Sequence, residues 1–201
     1  VYLVMEFIEK GNPAADFWNI FGESIAQLHQ QTQDTFGLSF QNYIGRLHQH
    51  NNAHENWCTF YSQERILPLT EKARSRHLIS AEQASMAEKI CSHMAQYIPE
   101  EKPSLLHGDL WSGNFLAQQN GQPAVFDPAV YYGHREMDLA MARLFGGFDP
   151  AFFDAYHASF PLQPGWLERT EIFQLYPLMV HLLLFGGNYQ QKVSAILEKY
   201  S

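Results

Sequence analysis

The sequence is short of basic residues and of cysteine, and each shortage excludes a class of protein. Lysine and arginine total 13 against 21 aspartates and glutamates. The resulting net charge of −8 argues against a protein that binds nucleic-acid backbones through a basic face. Only Cys58 and Cys91 occur, with no CxxC pair, which excludes a disulfide-built scaffold and fits a reducing compartment.

Long apolar runs are absent as well. The most apolar stretch, residues 178–185, contains His181 and ends at Gly186, far short of the roughly 20 residues that a membrane span requires. No basic segment followed by an apolar core and a small-residue cleavage site marks a secretory signal. These absences predict a cytoplasmic protein with neither a membrane nor a nucleic acid as partner.

Two common hydrolase motifs are missing. The ten histidines never form HExxH, and His48 and His50 have no third ligand nearby in the sequence. Segment 48–54 is therefore interpreted as a solvated loop rather than a metal site. GxSxG does not occur either, which disfavours a serine hydrolase.

Apolar and aromatic residues are plentiful, at 46% and 14% of the 201 residues, which predicts one packed, helix-rich domain. The periodicity predicts a strand over 1–8, a helix over 14–31, an irregular loop over 32–54, a helix over 55–76 interrupted near Pro68, and a helix from the capping box at Ser80 to about residue 97. Beyond it we expect a strand at 103–107, a hairpin of 115–117 with 124–126, and helices over 136–145, 150–159, 166–185 and 189–199.

The strongest chemical signal is the segment 107–114, HGDLWSGN. Its spacing, HxDLxxxN, is the catalytic-loop pattern of kinases. Phosphoryl transfer to a hydroxyl needs a carboxylate that orients the alcohol and takes its proton, and it needs oxygen ligands for Mg²⁺. Asp109 and Asn114, five residues apart on one loop, can face the same phosphate from two sides.

A second carboxylate follows at the expected distance. Asp127 lies 13 residues after Asn114, at the end of the next predicted strand, where a kinase carries its metal-binding aspartate. An aspartate after a strand is a weak signal alone, but it is strong in this order and at this distance. The alternative, in which Asp109 and Asp127 are only loop-capping carboxylates, stays open.

Three segments carry a family resemblance: HGDLWSGN, FDPAVYYGHREMDLAMARLFGGF at 126–148, and QLYPLMVHLLLFGGNY at 174–189. They resemble the fructosamine kinase (ketosamine-3-kinase) family, within the aminoglycoside-phosphotransferase and choline-kinase-like group. The wider group shares HGDxxxxN and a following aspartate, whereas the run at 131–141 is more particular to ketosamine kinases. The resemblance implies an α+β, predominantly helical fold: the C-terminal lobe of a protein-kinase-like fold, whose short β-hairpin bears the catalytic and metal loops.

The resemblance also implies roles for the residues of these loops. Asp109 would be the catalytic base, and Asn114 and Asp127 would hold Mg²⁺. His107 would support the catalytic loop from beneath, and Asp138 would brace it.

For the nucleotide, the run Met5, Glu6, Phe7 and Ile8 resembles the hinge between kinase lobes. There the backbone of Glu6 and Ile8 would hydrogen-bond the adenine of ATP. The competing interpretation of this run is a plain core strand.

For the acceptor, Trp111 lies where a substrate could stack, although a buried loop anchor is as good an interpretation. Tyr132, His134, Arg135 and Glu136 follow the metal aspartate and are expected to face the acceptor. Arg135 fits equally well as a structural ion-pair partner of a loop carboxylate.

The first residues suggest a division of the chain. Val1 already stands inside an apolar, strand-like run. Kinases of this group need an N-terminal lobe with a phosphate-covering loop and a Lys–Glu pair, and no such segment precedes Val1 here. Residues 1–10 are therefore expected to be a hinge strand from a missing N-terminal lobe, and residues 11–201 the helical C-terminal lobe. On this interpretation the isolated chain is inactive or nearly so.

The activity implied by the resemblance is ATP-dependent phosphorylation of a sugar hydroxyl, the 3-hydroxyl, on ketosamine-modified amines or proteins. The phosphorylated adduct would release its amine by elimination, which is deglycation. The acidic charge balance suits an acceptor with a cationic amine. Two alternatives stay open: another small-molecule kinase with an aminoglycoside or choline acceptor, and a non-catalytic lobe that binds partners.

Overall fold

The computed structural model describes residues 5–201, in which helices alternate with short strands. The α-helices are α1 (Phe17–His29), α2 (Trp57–Phe60), α3 (Leu67–Ser75), α4 (Ala81–His93), α5 (Glu136–Leu144), α6 (Pro150–Ser159), α7 (Thr170–Phe185) and α8 (Tyr189–Tyr200). The strands are β1 (Asn42–Ile44), β2 (Leu47–Gln49), β3 (Ser104–Leu106), β4 (Phe115–Ala117), β5 (Pro123–Val125) and β6 (Tyr131–Gly133). The predicted helix-rich α+β class is confirmed.

Local sequence signals place several helix ends. At the start of α4, the Ser80 hydroxyl accepts from the Gln83 backbone N–H while the Gln83 side chain accepts from the Ser80 backbone N–H, so the predicted capping box is formed. The predicted interruption near Pro68 is a π-helical segment, Tyr61–Ile66, between α2 and α3. Pro68 stands in the first turn of α3, directly after this π-helical segment.

Helix α7 contains an interior proline, and a tyrosine side chain replaces the backbone hydrogen bond that the proline cannot make. Pro177 cannot donate to the carbonyl one turn back, that of Phe173. The buried Tyr61 hydroxyl donates instead to the carbonyls of Ile172 and Phe173, at 2.8 and 3.2 Å. Helix α7 has 16 residues, and no helix within residues 5–201 has the length and apolar character to cross a membrane.

The strands form three antiparallel pairs. Strands β4 and β5 pair with Phe115 opposite Val125, which confirms the predicted hairpin. Strand β3 pairs with β6, which was not predicted, with Ser104 opposite Gly133. The prediction of an irregular loop over 32–54 was wrong, because β1 and β2 form a hairpin there around the two-residue turn at Gly45, whose φ is +56°.

The strand predicted over residues 1–8 falls partly outside the described residues and is not formed in the part that the structure describes. Residues 1–4 lie outside the described residues, and residues 5–9 form no strand. Met5 and Phe7 are 73% and 89% exposed, and the first β-bridge of the described chain joins Lys10 to Gln118. The apolar pattern predicted a strand, but no neighbouring strand among residues 5–201 pairs with it.

Two hydrophobic clusters meet at the loops that carry the motifs. The larger one packs α2, α3, α4, α7 and α8 together, and the smaller one packs α1 against α6. Leu106, just before the HGD motif, belongs to the larger cluster, whereas Leu110, within the motif, belongs to the smaller. Segment 107–129 is therefore anchored in both.

Candidate active site

The loop from 107 to 114 follows β3 and leads into β4, and its backbone folds back on itself. The Trp111 N–H donates to the Asp109 carbonyl at 3.1 Å, and the Asn114 N–H donates to the Trp111 carbonyl at 2.9 Å. Gly108 has a φ of +80°, and a Cβ there would come within 2.1 Å of the Ala129 carbonyl oxygen. Only glycine fits that position, since both the backbone angle and the close approach exclude a side chain.

Asp109 and Asn114 are joined directly. The Asn114 amide nitrogen donates to the carbonyl oxygen and to the carboxylate Oδ2 of Asp109, both at 2.9 Å. Burial raises the pKa of Asp109 to about 6, with the charges of Asp127 and Asp138 adding to the rise and the Asn114 hydrogen bond opposing it. A carboxyl group with this pKa is suited to accept a proton near neutral pH.

Asp127 is brought to the same place by His107. The His107 ring donates from Nε2 to the Phe126 carbonyl at 3.1 Å, and its backbone carbonyl accepts from the Ala129 N–H at 2.9 Å. The Phe126 N–H donates to the Asn114 carbonyl at 3.0 Å. Asp127 itself is exposed and has a φ of +55°, a strained backbone conformation for a residue other than glycine.

The side chains of Asp109, Asn114 and Asp127 offer carboxylate and amide oxygens, which are the donor atoms that Mg²⁺ prefers. The amide nitrogen of Asn114 is engaged by Asp109, which turns its Oδ1 away from that contact. Asp127 is exposed, so its carboxylate is accessible to a cation. Asn114 and Asp127 would hold a magnesium ion beside the Asp109 carboxylate, and the ion would supply positive charge for phosphate oxygens there.

Asp138, at the start of α5, braces the loop from the interior. Its carboxylate accepts from the backbone N–H groups of His107 and Gly108 at 2.7 and 2.9 Å. The ring of His29 lies 3.1 Å from the same carboxylate through Nε2 and 2.8 Å from the Tyr156 hydroxyl through Nδ1. Burial acts to raise the pKa of Asp138, but His29 and these hydrogen bonds outweigh it and hold the pKa below its usual value.

His29 and Tyr156 were missed by sequence reasoning. His29 stands in α1, 109 residues before Asp138, and Tyr156 stands in α6. Both are buried, and neither lies in a motif. A histidine and a tyrosine on apolar helix faces gave no signal that distinguished them from core residues.

The residues expected to face the acceptor lie inside the protein, with the exception of half-buried Tyr132. Arg135 forms a bidentate ion pair with Glu101, at 2.7 and 2.8 Å, and also donates to the carbonyls of Phe160 and Pro161. The structure therefore fits the ion-pair interpretation of Arg135. The Arg135 side chain is 3% exposed and its guanidinium lies 3.8 Å from the centre of the Phe160 ring, so it is not accessible to a substrate.

His134 and Glu136 complete this buried group, and neither side chain is open to solvent, contrary to the expectation that they face the acceptor. Glu136 is 2% exposed and pairs with Arg169 at 2.8 Å. His134 is fully buried, and its Nε2 lies 3.9 Å from a Glu101 oxygen. Burial, together with the charges of Arg135 and Arg169, lowers the pKa of His134 to about 4, although Glu101 opposes this shift.

Trp111 is at the surface of the loop, with 36% of its area exposed. Its ring covers Gly113, where a Cβ would come within 2.3 Å of the indole. A row of rings continues from it: Phe145 lies 6.1 Å from Trp111, His181 lies 4.7 Å from Phe145, and Tyr189 lies 5.1 Å from His181. The sequence singled out Trp111 but not the other three, which come from the end of α5, from α7 and from α8.

The hinge-like segment lies apart from these loops. Residues 6–9 line a shallow recess together with residues 118–120 of the turn between β4 and β5. The position of Phe7, mostly in solvent, does not fit a core strand.

Comparison with known proteins gives consistent matches along the whole chain. The fructosamine kinase family profile matches residues 1–201. A probable ketoamine kinase of Enterococcus faecium is 41% identical over 201 residues, which cover 99% of this chain and 72% of that protein. The crystal structure of a proposed fructosamine-3-kinase from Thermobifida fusca is 35% identical and superposes with a TM-score of 0.91, over 96% of this chain and 68% of the other.

A more distant match concerns the fold alone. An amicoumacin kinase, solved with AMP-PNP and Ca²⁺, is 16% identical and superposes with a TM-score of 0.58, over 97% of this chain and 62% of the other. The kinase-like fold implied by the family resemblance is thereby confirmed.

Proposed function

Because the chain belongs to the fructosamine kinase family, we propose that it transfers the γ-phosphoryl group of ATP to a sugar hydroxyl of a ketosamine. The observation that carries this proposal is the grouping of Asp109, Asn114 and Asp127, held together through His107 and braced by Asp138. The acceptor hydroxyl is the 3-hydroxyl of the rearranged sugar. Phosphorylation there leads to elimination and releases the amine.

In the proposed reaction, Asp109 acts as the base. Its Oδ2 is held by Asn114, so Oδ1 accepts the hydrogen bond of the acceptor hydroxyl. The hydroxyl oxygen forms a bond to the γ-phosphorus. The bond between that phosphorus and the oxygen that bridges the β- and γ-phosphates breaks, and ADP leaves with the electron pair. The hydroxyl proton passes to the Asp109 carboxylate.

Asn114 and Asp127 hold Mg²⁺ in this proposal, through Oδ1 and the carboxylate. Bound there, the ion neutralises charge that develops on the phosphate oxygens. The backbone hydrogen bonds that His107 and Asp138 make keep these side chains in place before substrate arrives.

Trp111 and its neighbouring rings form the acceptor side of the proposed site. The exposed face of Trp111 lies two residues from Asp109, and an aromatic face suits the apolar face of a sugar. The other substrate, ATP, is proposed to place its adenine against the backbone of Glu6 and Ile8 in the hinge-like segment.

The test is Mg·ATP-dependent ADP release with fructose- and ribulose-modified lysine, for the wild-type sequence and for Asp109→Asn, each as this chain alone and extended by the further residues of the Enterococcus faecium relative. The substitution keeps the shape of the side chain but removes its basicity, so turnover should fall by roughly 10²-fold or more while nucleotide affinity stays within about threefold. Asp149→Asn, at the exposed start of α6, is the matched control and should retain full turnover. Near-normal turnover in Asp109→Asn would contradict the assigned base.

The same assay separates the competing functions and tests the inactivity predicted for this chain. A panel with an aminoglycoside and choline distinguishes a ketosamine kinase from another kinase of the same fold. Mg·ATP binding without turnover on any acceptor would favour a binding module. Running the chain alone and extended by the further residues of the Enterococcus faecium relative compares its activity in both contexts.

A further inference from the structure

Residues on both sides of Asp127 are hydrogen-bonded to two different parts of the fold. One of these, His107, belongs to the kinase motif, and the other, the β1–β2 hairpin, does not. On the near side, His107 bonds the Phe126 carbonyl and the Ala129 N–H. On the far side, the amide nitrogen of Gln49 donates to the Ala129 carbonyl at 3.1 Å, and that of Asn42 donates to the Val130 carbonyl at 2.8 Å. Both amides come from the β1–β2 hairpin, about 80 residues away in the sequence.

Gln49 is buried, and its amide is hydrogen-bonded at both ends. It is 2% exposed, and its nitrogen donates to Ala129 and to the Asn42 side-chain oxygen at 2.9 Å. Its oxygen accepts from the Tyr176 hydroxyl of α7 at 2.7 Å. The amide nitrogen is thereby aimed at the Ala129 carbonyl, because the opposite orientation would place acceptors against acceptors.

The hairpin amides are in turn fixed by a buried arginine. The Asn42 oxygen also accepts from the Asn51 side chain at 2.8 Å, and the Asn51 oxygen accepts from Arg65 at 2.8 Å. Arg65 is fully buried, and its guanidinium carbon lies 4.1 Å from the centre of the Tyr131 ring. The two terminal nitrogens of Arg65 are hydrogen-bonded, to Asn51 and to the carbonyls of His50 and Glu64, and this buried network favours one arrangement of the hairpin.

The Ala129 carbonyl is also the group that Gly108 approaches most closely. A Cβ on Gly108 would stand 2.1 Å from that oxygen, so the carbonyl lies between the catalytic loop and the Gln49 amide. Any shift of Ala129 therefore moves the two residues between it and Phe126, of which one is Asp127.

We propose that Gln49 is a positioning residue of the metal site: by holding the Ala129 carbonyl, it sets the place of the Asp127 carboxylate relative to Asp109 and Asn114. This inference rests on the proposed function, because it concerns the metal ion of that reaction. Outer partners that orient metal ligands change metal affinity about 10–100-fold when they are removed. Gln49 would act in this way through one backbone carbonyl.

The test measures Mn²⁺ binding by the free-ion EPR signal, together with the Mg²⁺ dependence of ADP release. Gln49→Leu should weaken Mn²⁺ binding about tenfold and raise the half-saturating Mg²⁺ concentration to match, with the KM of the acceptor within about twofold. Tyr176→Phe, which removes only the donor to the Gln49 oxygen, should change both in the same direction by a smaller factor. Gln174→Leu loses a similar bond, to the Ala140 carbonyl at 3.0 Å, and should bind Mn²⁺ as the wild type does.

The outcomes separate this inference from the proposed function. Wild-type Mn²⁺ affinity in folded Gln49→Leu and Tyr176→Phe would overturn the positioning role and leave the kinase proposal standing. An equal loss of affinity in Gln174→Leu would also overturn it, since the effect would then be general destabilisation. A wild-type chain that neither binds Mn²⁺ nor releases ADP in either chain context would overturn both.

Discussion

Replacement of Asp138 by Asn is the sharpest test of how the catalytic loop is held. The carboxylate accepts from His107 and Gly108 with separate oxygens, and the oxygen that serves His107 also contacts His29. Asparagine fits the same space but has only one acceptor oxygen. Its better orientation keeps the oxygen on the side of His107 and His29 and turns the NH₂ group toward the Gly108 N–H.

The cost follows from that orientation. The Gly108 N–H loses a hydrogen bond to a charged acceptor, and the remaining bond to His107 loses its charge assistance, at about 1.5–3 kcal/mol for such bonds. The total destabilisation should be about 3 kcal/mol. At a urea dependence of about 2 kcal/mol/M, the unfolding midpoint should fall by about 1.5 M.

The assay is urea unfolding followed by tryptophan fluorescence, with hydrogen exchange of the Gly108 amide as the local measurement. Asp149→Asn is the control, because this carboxylate also accepts a backbone N–H but caps a helix at the surface. Asparagine caps helices as well as aspartate does, so the control midpoint should not move. An Asp138→Asn midpoint equal to wild type, with unchanged exchange at Gly108, would refute the bracing role.

Three further predictions concern neighbouring residues. Gly108→Ala combines a φ of +80° with a contact of 2.1 Å to the Ala129 carbonyl, so it should lower the free energy of unfolding by at least about 2 kcal/mol in urea titrations and greatly reduce ADP release. Arg135→Met leaves the Glu101 carboxylate without its bidentate partner; stability should fall by about 3 kcal/mol, and an unchanged acceptor KM would separate this role from substrate binding. The pKa of His134 is about 4 in the folded chain and about 6.5 when unfolded, so the unfolded state binds the extra proton and stability should fall as the pH drops from 6.5 toward 4, by at most about 3 kcal/mol. In His134→Leu, the thermal unfolding midpoint should depend less on pH over that range. A pH dependence identical to that of the wild type would contradict the role assigned to His134.

The contacts within segment 107–114 could be anticipated from the sequence because they are local. Asp109 and Asn114 are five residues apart, and the bonds between them close within one turn. Asp127 follows one short hairpin later, so a fixed spacing carries the information. The capping box at Ser80 is read in the same way, from residues three apart.

The supports of the loop could not be predicted, because they come from distant segments without a pattern of their own. His29 reaches Asp138 across 109 residues, and Gln49 reaches Ala129 across 80. The segment that contains Gln49 is polar and histidine-rich, which predicted a solvated loop. The structure instead forms a hairpin there and buries Gln49 and Asn51, since their amides are fully hydrogen-bonded.

The run at 131–136 shows why a distinctive sequence need not mark a substrate contact. It resembles one kinase family closely and follows Asp127, the proposed metal ligand, and both observations pointed to the acceptor. Its charges are nevertheless internal: Arg135 pairs with Glu101, and Glu136 pairs with Arg169. Buried pairs of this kind tolerate little change, because removal of one partner leaves the other charge unpaired in the interior.

Selectivity for the acceptor should therefore be sought elsewhere on the same loop system. Trp111 is exposed beside Asp109, and Phe145 and His181 extend its surface away from the catalytic loop. These rings come from three separate elements, so their joint surface depends on the packing of the helices rather than on any one motif. Substitutions along this row should change which amine is accepted, whereas substitutions in 134–136 should change whether the chain folds.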